Sequence, residues 1–154
     1  MRISEILTLS RIRNPLAATS KRDAIDELIQ LLAQQGDLSD PDRALQAVLD
    51  REMTRTTGIG HGLGIPHGKT GAVHDIVMAF AKAPEPIEFD SVDGKGVTLI
   101  VLLLSPVAKA GPHIQALARV SRLMSSELLR RKLNAAASSD EILNTIRRHE
   151  SEFA

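Results

Sequence analysis

The apolar positions of this chain change their spacing twice, from helical to strand-like and back. Ile25, Leu28, Ile29 and Leu32 recur at the three-to-four-residue period of an amphipathic helix. Thr19 or Ser20 caps its start, and Gly36 ends the run. Asp40-Pro41 opens a second helix, with Asp as the cap and Pro at the first helical position. Ala44, Leu45, Val48 and Leu49 form its apolar side, and it runs to about Met53. Ahead of both, residues 1–18 read as a lead-in with a brief helix at Ser4 to Leu7.

The middle of the chain reads as strands. Val73 to Lys82 is small, branched and apolar, and Ala83-Pro84-Glu85-Pro86 is expected to break it. Asp93-Gly94 marks a turn. Val97 to Leu104 is a nearly unbroken apolar run of strand length, the pattern of a central strand covered on both faces. Leu63 to Pro66 adds a short strand leading to His67. Helical spacing then returns. Gly111-Pro112 opens a helix containing Ile114, Leu117, Val120 and Leu123. Ser125 or Ser126 starts the next, with Leu128, Leu129 and Leu133 apolar. Ser138 and Glu141 have the spacing of a capping box before Ile142, Leu143 and Ile146. A central strand covered on both sides needs helices on both faces, so the expected fold is an α/β domain with helices flanking a small mixed sheet.

Length and composition narrow the class. The 154 residues suit one domain, 1–154, and a hydrophobic fraction of 43% argues against disorder. Nineteen basic and nineteen acidic residues cancel, so charge offers nucleic acid or an anionic membrane no purchase. The chain has no Tyr or Trp and three Phe, a poor basis for base stacking. It has no Cys, hence no thiolate chemistry, which fits a cytoplasmic protein. The N-terminus lacks a signal-peptide hydrophobic region, and the run from Val97 to Leu104 is too short to span a bilayer.

The candidate chemistry lies in Thr56 to Thr70, where five glycines and two histidines fall within fifteen residues. Glycine gives up side-chain burial and costs backbone entropy, so a chain keeps this many where its backbone must turn tightly or lie against something. A histidine on such a segment suits phosphoryl acceptance. That role needs a neutral, exposed attacking nitrogen, an acceptor holding the other nitrogen, and donors for the transferred group's charge. His67 fits best: Pro66 stiffens the backbone before it, Gly68 lets another chain approach closely, and Lys69 and Thr70 are nearby donors. His113 follows Gly111-Pro112 in the first turn of a predicted helix, where the positive end of the helix dipole favours anions. Arg51, at the end of the second helix, is a candidate fixed cation.

Blander readings compete. A lone histidine is usually a surface or structural residue, and His74 and His149 read as solvent-facing. Arg51 equally suits an ordinary exposed helix position. Imidazole binds zinc, so His61, His67 and His113 form a second possible site, although no His-Glu-x-x-His pattern or acidic residue within the segment supports it. Gly64-x-x-x-Gly68-Lys69-Thr70 misses the nucleotide-binding P-loop by one residue.

At these residues the chain resembles the enzyme IIA proteins of the bacterial phosphoenolpyruvate-dependent phosphotransferase system, fructose–mannitol class, including the nitrogen-regulatory branch. The resemblance rests on Leu49-Asp50-Arg51-Glu52, Thr57-Gly58-Ile59-Gly60 and Ile65-Pro66-His67-Gly68-Lys69. Ser20-Lys21-Arg22-Asp23-Ala24, the Val97 to Leu104 strand and His113-Ile114-x-x-Leu117 extend it over nearly the whole chain. It implies a three-layer α/β/α sandwich with a mixed sheet. It implies that His67 accepts a phosphoryl group, as a tele-phosphohistidine, from a small histidine-containing phosphocarrier protein. It assigns His113 to stabilising that group and Arg51 to contacting it. No metal, nucleotide or other cofactor is implied, because the donor is already a phosphohistidine. His61 stands where the nitrogen-regulatory branch often has Asn, which bears on the branch and leaves the acceptor unaffected.

Two uses of such a carrier follow. One is a regulator whose phosphorylation state decides which target protein it binds. The other is a transport relay that passes the group to a IIB domain and on to a sugar. A chain reading as one domain with no fused IIB or IIC, and the Ile-Pro-His-Gly-Lys form, favour regulation. A metal-dependent hydrolase is the reading from another class.

Overall fold

The computed structural model describes residues 2–153, so Met1 and Ala154 of the expected domain lie outside the described residues. In chain order the elements are α1 (Ile3–Ile6), a 3-10 turn at Leu9–Arg11, β1 (Ile12–Arg13), α2 (Lys21–Gln34) and α3 (Pro41–Thr54). Then come β2 (Gly58–Gly60), β3 (Leu63–Gly64), β4 (His67–Lys69), β5 (Val77–Ile87) and β6 (Val97–Ser105). Helices α4 (Ala110–Met124), α5 (Glu127–Ala135) and α6 (Ser139–Phe153) complete the chain.

The sheet is mixed and six-stranded, in the order β1-β5-β6-β3-β2, with β4 pairing β6 beyond β3. Strand β6 runs antiparallel to β5 and parallel to β3 and β4. Its residues alternate between two apolar layers, as the two-residue period of a strand requires. Ile100, Leu102 and Leu104 face α2 and α3 through Ile25, Leu28, Leu32, Ala44 and Val48. Leu99, Val101 and Leu103 face the other helices through Ile3, Val120, Leu129 and Ile146. The result is the three-layer α/β/α arrangement with a small mixed sheet.

Most element starts follow the sequence signals. The Ser20 hydroxyl accepts from the Asp23 N–H at 3.2 Å, and Asp40 accepts from the Arg43 N–H at 3.2 Å. Each such cap contributes about 1 kcal/mol. Ser126, the second of the two candidates, caps α5 through the Leu129 N–H. Glu150, buried on α6, receives the N–H groups of Ile3 and Ser4 at 2.7 and 3.0 Å and ties the first turn of the chain to the last helix.

Three expectations require correction. The Thr56–Thr70 segment, expected to hold one short strand at Leu63–Pro66, holds three: β2 and β3 form an antiparallel hairpin, β3 ends at Gly64, and β4 continues into the sheet. The strand expected over Val73–Lys82 begins at Val77 and continues through Pro84 and Pro86 to Ile87. Pairing jumps from Lys82 opposite Leu99 to Ile87 opposite Val97, so the prolines occupy a bulge where no ladder N–H is needed. Helix α4 begins at Ala110, and its buried side is His113, Ala116, Val120 and Met124. Ile114, one of the apolar residues that marked this helix, is 64% exposed, and the neighbouring His113 takes the buried position.

Gly68 shows why one strand position tolerates no side chain. A Cβ there would sit 3.2 Å from the Val48 backbone nitrogen and 3.3 Å from the Ala47 carbonyl carbon. The neighbour that approaches is therefore α3 of the same chain. Gly68→Val is expected to push α3 from the sheet and to lower stability by roughly 1–3 kcal/mol, as overpacking does, read as a reduced urea midpoint at unchanged slope.

Candidate functional site

Strand β4 pairs with the last residues of β6, with His67 opposite Leu103 and Lys69 opposite Ser105. A four-residue connection separates the end of β6 from the start of α4, whose first turn carries His113. This connection brings His113 back over β4, and the two imidazole centroids lie 5.5 Å apart with their planes tilted by 53°. Arg51 reaches the same place from the last turn of α3. His67, His113, Arg51 and Lys69 line one cleft of about 360 Å³, together with Ala47, Gly68 and Leu117.

His67 is half-buried, and its Nδ1 lies 2.9 Å from the carbonyl oxygen of Ile65. A carbonyl only accepts, so Nδ1 carries the proton and Nε2 keeps its lone pair. Desolvation is the largest influence on this ring and holds its pKa below the ordinary imidazole value; the Ile65 bond opposes the shift, Arg51 adds to it, and Glu52 opposes it. His67 is thus a neutral imidazole at pH 7 with one fixed nitrogen and one nucleophilic nitrogen.

His113 is 4% exposed. Its Nδ1 makes a short hydrogen bond with the Ser105 hydroxyl, which is itself fully buried. Desolvation, then the neighbouring His67 and Lys69, push its pKa down to about 4. Arg51 uses Nη1 twice at the end of its own helix, donating to the Arg55 carbonyl at 2.9 Å and to Thr54 Oγ1 at 3.2 Å. Its Nε and Nη2 make no hydrogen bond among the described residues and remain available to an anion.

Glu52, next to Arg51 and on the buried side of α3's last turn, holds the hairpin in place. Its carboxylate meets the Lys21 ammonium at 2.6 Å and accepts from the Thr57 N–H at 3.2 Å and from the Thr57 hydroxyl. Lys21 also donates to the Phe89 carbonyl at 3.2 Å, which Thr56 shares at 2.8 Å. Helix α2, α3, the start of β2 and the β5–β6 connection are thereby pinned at one point. Glu52 and Ser105 have no role in the sequence reading. Glu52 was visible there as part of the Leu-Asp-Arg-Glu block, whereas nothing marked Ser105.

Thr70, expected as a donor, is buried, and its hydroxyl accepts from the Ala72 N–H. His61 lies at the hairpin tip, exposed, with φ at 58° between Gly60 at 99° and Gly62 at 75°. Asn and His both tolerate this left-handed region better than most residues do, a physical reason for either at this position. The His61 N–H donates to Asp93 at 3.0 Å. The trio His61, His67 and His113 does not converge, and among the described residues no group of three His, Cys, Asp or Glu is placed to hold a metal ion. His74 is exposed, while His149 is partly buried with its ring 4.7 Å from Phe153. His149 lines a larger cavity of about 450 Å³ with Arg2, Arg119, Arg122 and Phe153, which contains none of the cleft residues.

Both lowered imidazole pKa values carry a consequence for stability. Between pH 6.5 and about 4 the unfolded chain binds a proton at His113 that the folded chain refuses. Stability should therefore fall as pH drops through this window, with His67 adding a contribution of the same sign. His113→Gln is expected to show a smaller loss of Tm between pH 7 and pH 5 than wild type; an equal loss would mean that His113 titrates normally.

Comparison with known proteins supplies the context for this cleft. Residues 5–149 match the family described as the phosphoenolpyruvate-dependent sugar phosphotransferase system, EIIA 2. The fructose-specific EIIA component of Haloferax volcanii is 39% identical over 144 residues, 94% of each chain. The crystal structure of nitrogen regulatory protein IIA-Ntr from Neisseria meningitidis superposes with a TM-score of 0.86 at 33% identity, covering 94% of this chain and 98% of that one. A third relative, the fructose-specific EIIABC component of Bacillus subtilis, is 33% identical over 150 residues, and the match covers 97% of this chain but 24% of that longer protein. The chain belongs to the EIIA 2 family of the phosphoenolpyruvate-dependent phosphotransferase system and is a phosphoryl-transfer component of that class.

Proposed function

We propose that this protein is a histidine phosphocarrier whose acceptor atom is Nε2 of His67. The observation that carries this reading is the bond from His67 Nδ1–H to the Ile65 carbonyl. It leaves a lone pair on the nitrogen away from the backbone, on a ring kept neutral by burial. The donor is a phosphohistidine on a small histidine-containing phosphocarrier protein. Nε2 attacks the phosphorus in line. The new N–P bond forms as the donor's N–P bond breaks, and that electron pair returns to the donor imidazole. The proton on Nδ1 stays shared with Ile65. Such transfers ask little covalent work of the protein, and positioning and charge stabilisation carry most of the catalysis. Arg51 contacts the equatorial oxygens through its available N–H groups, His113 donates to them from the opposite wall, and Lys69 adds positive charge at the rim. The exposed apolar side chains of Ile114 and Val107, one on each side of His113 along the chain, suit a protein donor.

We read the carrier as a phosphorylation-dependent regulator acting in the cytoplasm, with residues 1–154 as one functional unit. Phosphorylation adds about −1.5 to −2 charges at pH 7, which cancels most of the positive charge of a cleft lined by Arg51 and Lys69. A target drawn to the cationic cleft loses that attraction when the group is present. Similarity to a IIA-Ntr structure supports this use. The 39% identity to a fructose-specific EIIA favours the second reading, a sugar-transport relay that hands the group to a IIB domain.

Incubation with phosphoenolpyruvate, enzyme I and the phosphocarrier protein should add one phosphate to the wild-type mass and none to His67→Ala. The adduct should be acid-labile and base-stable, and labelling of His67→Ala would overturn the acceptor assignment. Rapid discharge of the phospho-form by IIB domains would decide for the relay, and no discharge for the regulator. Arg51→Ala should slow phosphate uptake about 10²-fold, the usual effect of losing one donor to a transferred group, at a cost in Tm of a few degrees at most. An unchanged rate would reduce Arg51 to the helix-terminal contacts it makes with Thr54 and Arg55.

A further inference from the structure

We propose that Ser105 sets the tautomer of His113, making it a hydrogen-bond donor through Nε2 to the phosphoryl group on His67. This assignment rests on the carrier reading above and extends it to a residue with no role there. Ser105 is the last residue of β6 and is fully buried, opposite Lys69 in β4. Its hydroxyl has one hydrogen-bond partner among the described residues, Nδ1 of His113.

The direction of that bond follows from counting protons. If His113 Nδ1–H donated to Ser105, the serine's own O–H would have no acceptor in a site without solvent, which buried polar groups avoid. If the serine donates, both groups are satisfied: Nδ1 accepts, and the single imidazole proton goes to Nε2. His113 remains neutral under these conditions, so it has only one proton to place. With Nδ1 occupied by Ser105, Nε2 is the nitrogen left for the cleft that His113 shares with His67.

The two rings are thus held in opposite tautomers by two different acceptor–donor partners. His67 donates a hydrogen bond from Nδ1–H to a carbonyl and keeps a lone pair on Nε2 for attack. His113 accepts a hydrogen bond at Nδ1 and presents Nε2–H. Were His113 in the other tautomer, its lone pair would face the lone pair of the nucleophile, and later the phosphoryl oxygens. The centroid separation of 5.5 Å puts both rings beside one bound group, so the nitrogen of His113 that carries the proton decides whether the ring meets that group as donor or acceptor. Ser105 touches no reacting atom and acts through His113, so it is a positioning residue.

The test is the imidazole 15N spectrum of wild type, Ser105→Ala and Ser105→Thr at pH 7.5, paired with the rate of phosphate uptake. Wild type should show His113 with a protonated Nε2 and an unprotonated Nδ1. Ser105→Ala should shift the His113 population toward protonated Nδ1, leave His67 unchanged, and slow uptake by about tenfold or more while still reaching one phosphate per chain. Ser105→Thr, which keeps the hydroxyl, should restore both the spectrum and the rate. Protonated Nδ1 on His113 in the wild type would overturn the proposal without any variant needing to fold. An unaltered His113 spectrum and rate in Ser105→Ala would overturn it as well. Failure of the wild type to take up phosphate, with the tautomers as stated, would overturn the carrier reading instead.

Discussion

Strand β6 is the constraint on which the rest of this structure depends. It pairs with β5 on one side and with β3 and β4 on the other, and its side chains enter both apolar layers. A strand paired on both sides and packed on both faces has a strongly specified register: a one-residue slip would exchange the two layers. That register decides where β4 lies. It also decides that the chain leaves the sheet at Ser105, beside Lys69, and turns directly into the helix that carries His113. The site is built at the end of the most buried strand because the last paired residue and the first helical turn come from the same short connection.

Around this frame several polar groups in the interior are answered by partners, although Ser91 Oγ is buried without one among the described residues. Ser105 and His113 satisfy one another, Glu150 takes two backbone N–H groups, and Glu52 meets Lys21 and Thr57. A buried ion pair such as Lys21–Glu52 adds little net stability, because desolvation offsets much of the attraction. Its value here is positional. It joins two helices to the base of the hairpin that ends at Ile65, whose carbonyl orients His67. The same burial that makes these groups expensive keeps both imidazoles neutral. A carrier that must accept a group rather than attract a proton requires that state.

Much of this was legible in the chain. Periodicity located all four long helices and α5's start, because their apolar faces repeat over three or more turns and their caps are marked by Ser20, Asp40, Ser126 and Ser138. The run Val97 to Leu104 announced a buried central strand. The glycine-and-histidine segment pointed to His67, and the Leu-Asp-Arg-Glu block to Arg51. The errors came from features that local pattern does not encode. Pro84 and Pro86 read as breakers, yet the sheet accommodates them in a bulge opposite the start of β6. Ile114 was counted among the apolar positions of its helix yet is exposed, while His113, read as a site residue in the first helical turn, is buried. A buried hydroxyl on another element makes the histidine an acceptable interior group.

What the sequence determined by itself was the set of parts: where the long helices lie, which strand is central, and which stretch gathers glycines around His67. These depend on local periods, on caps and on residue type, and every contact involved is short in sequence. What only the tertiary structure decided was how the parts face each other. The pairing of His67 with His113, the approach of Arg51, the pinning of the hairpin by Glu52 and the partnership of Ser105 with His113 are long-range or register-dependent. Tautomer and pKa follow from those neighbours and from exclusion of water. They are properties of an assembled environment, which no window of sequence contains.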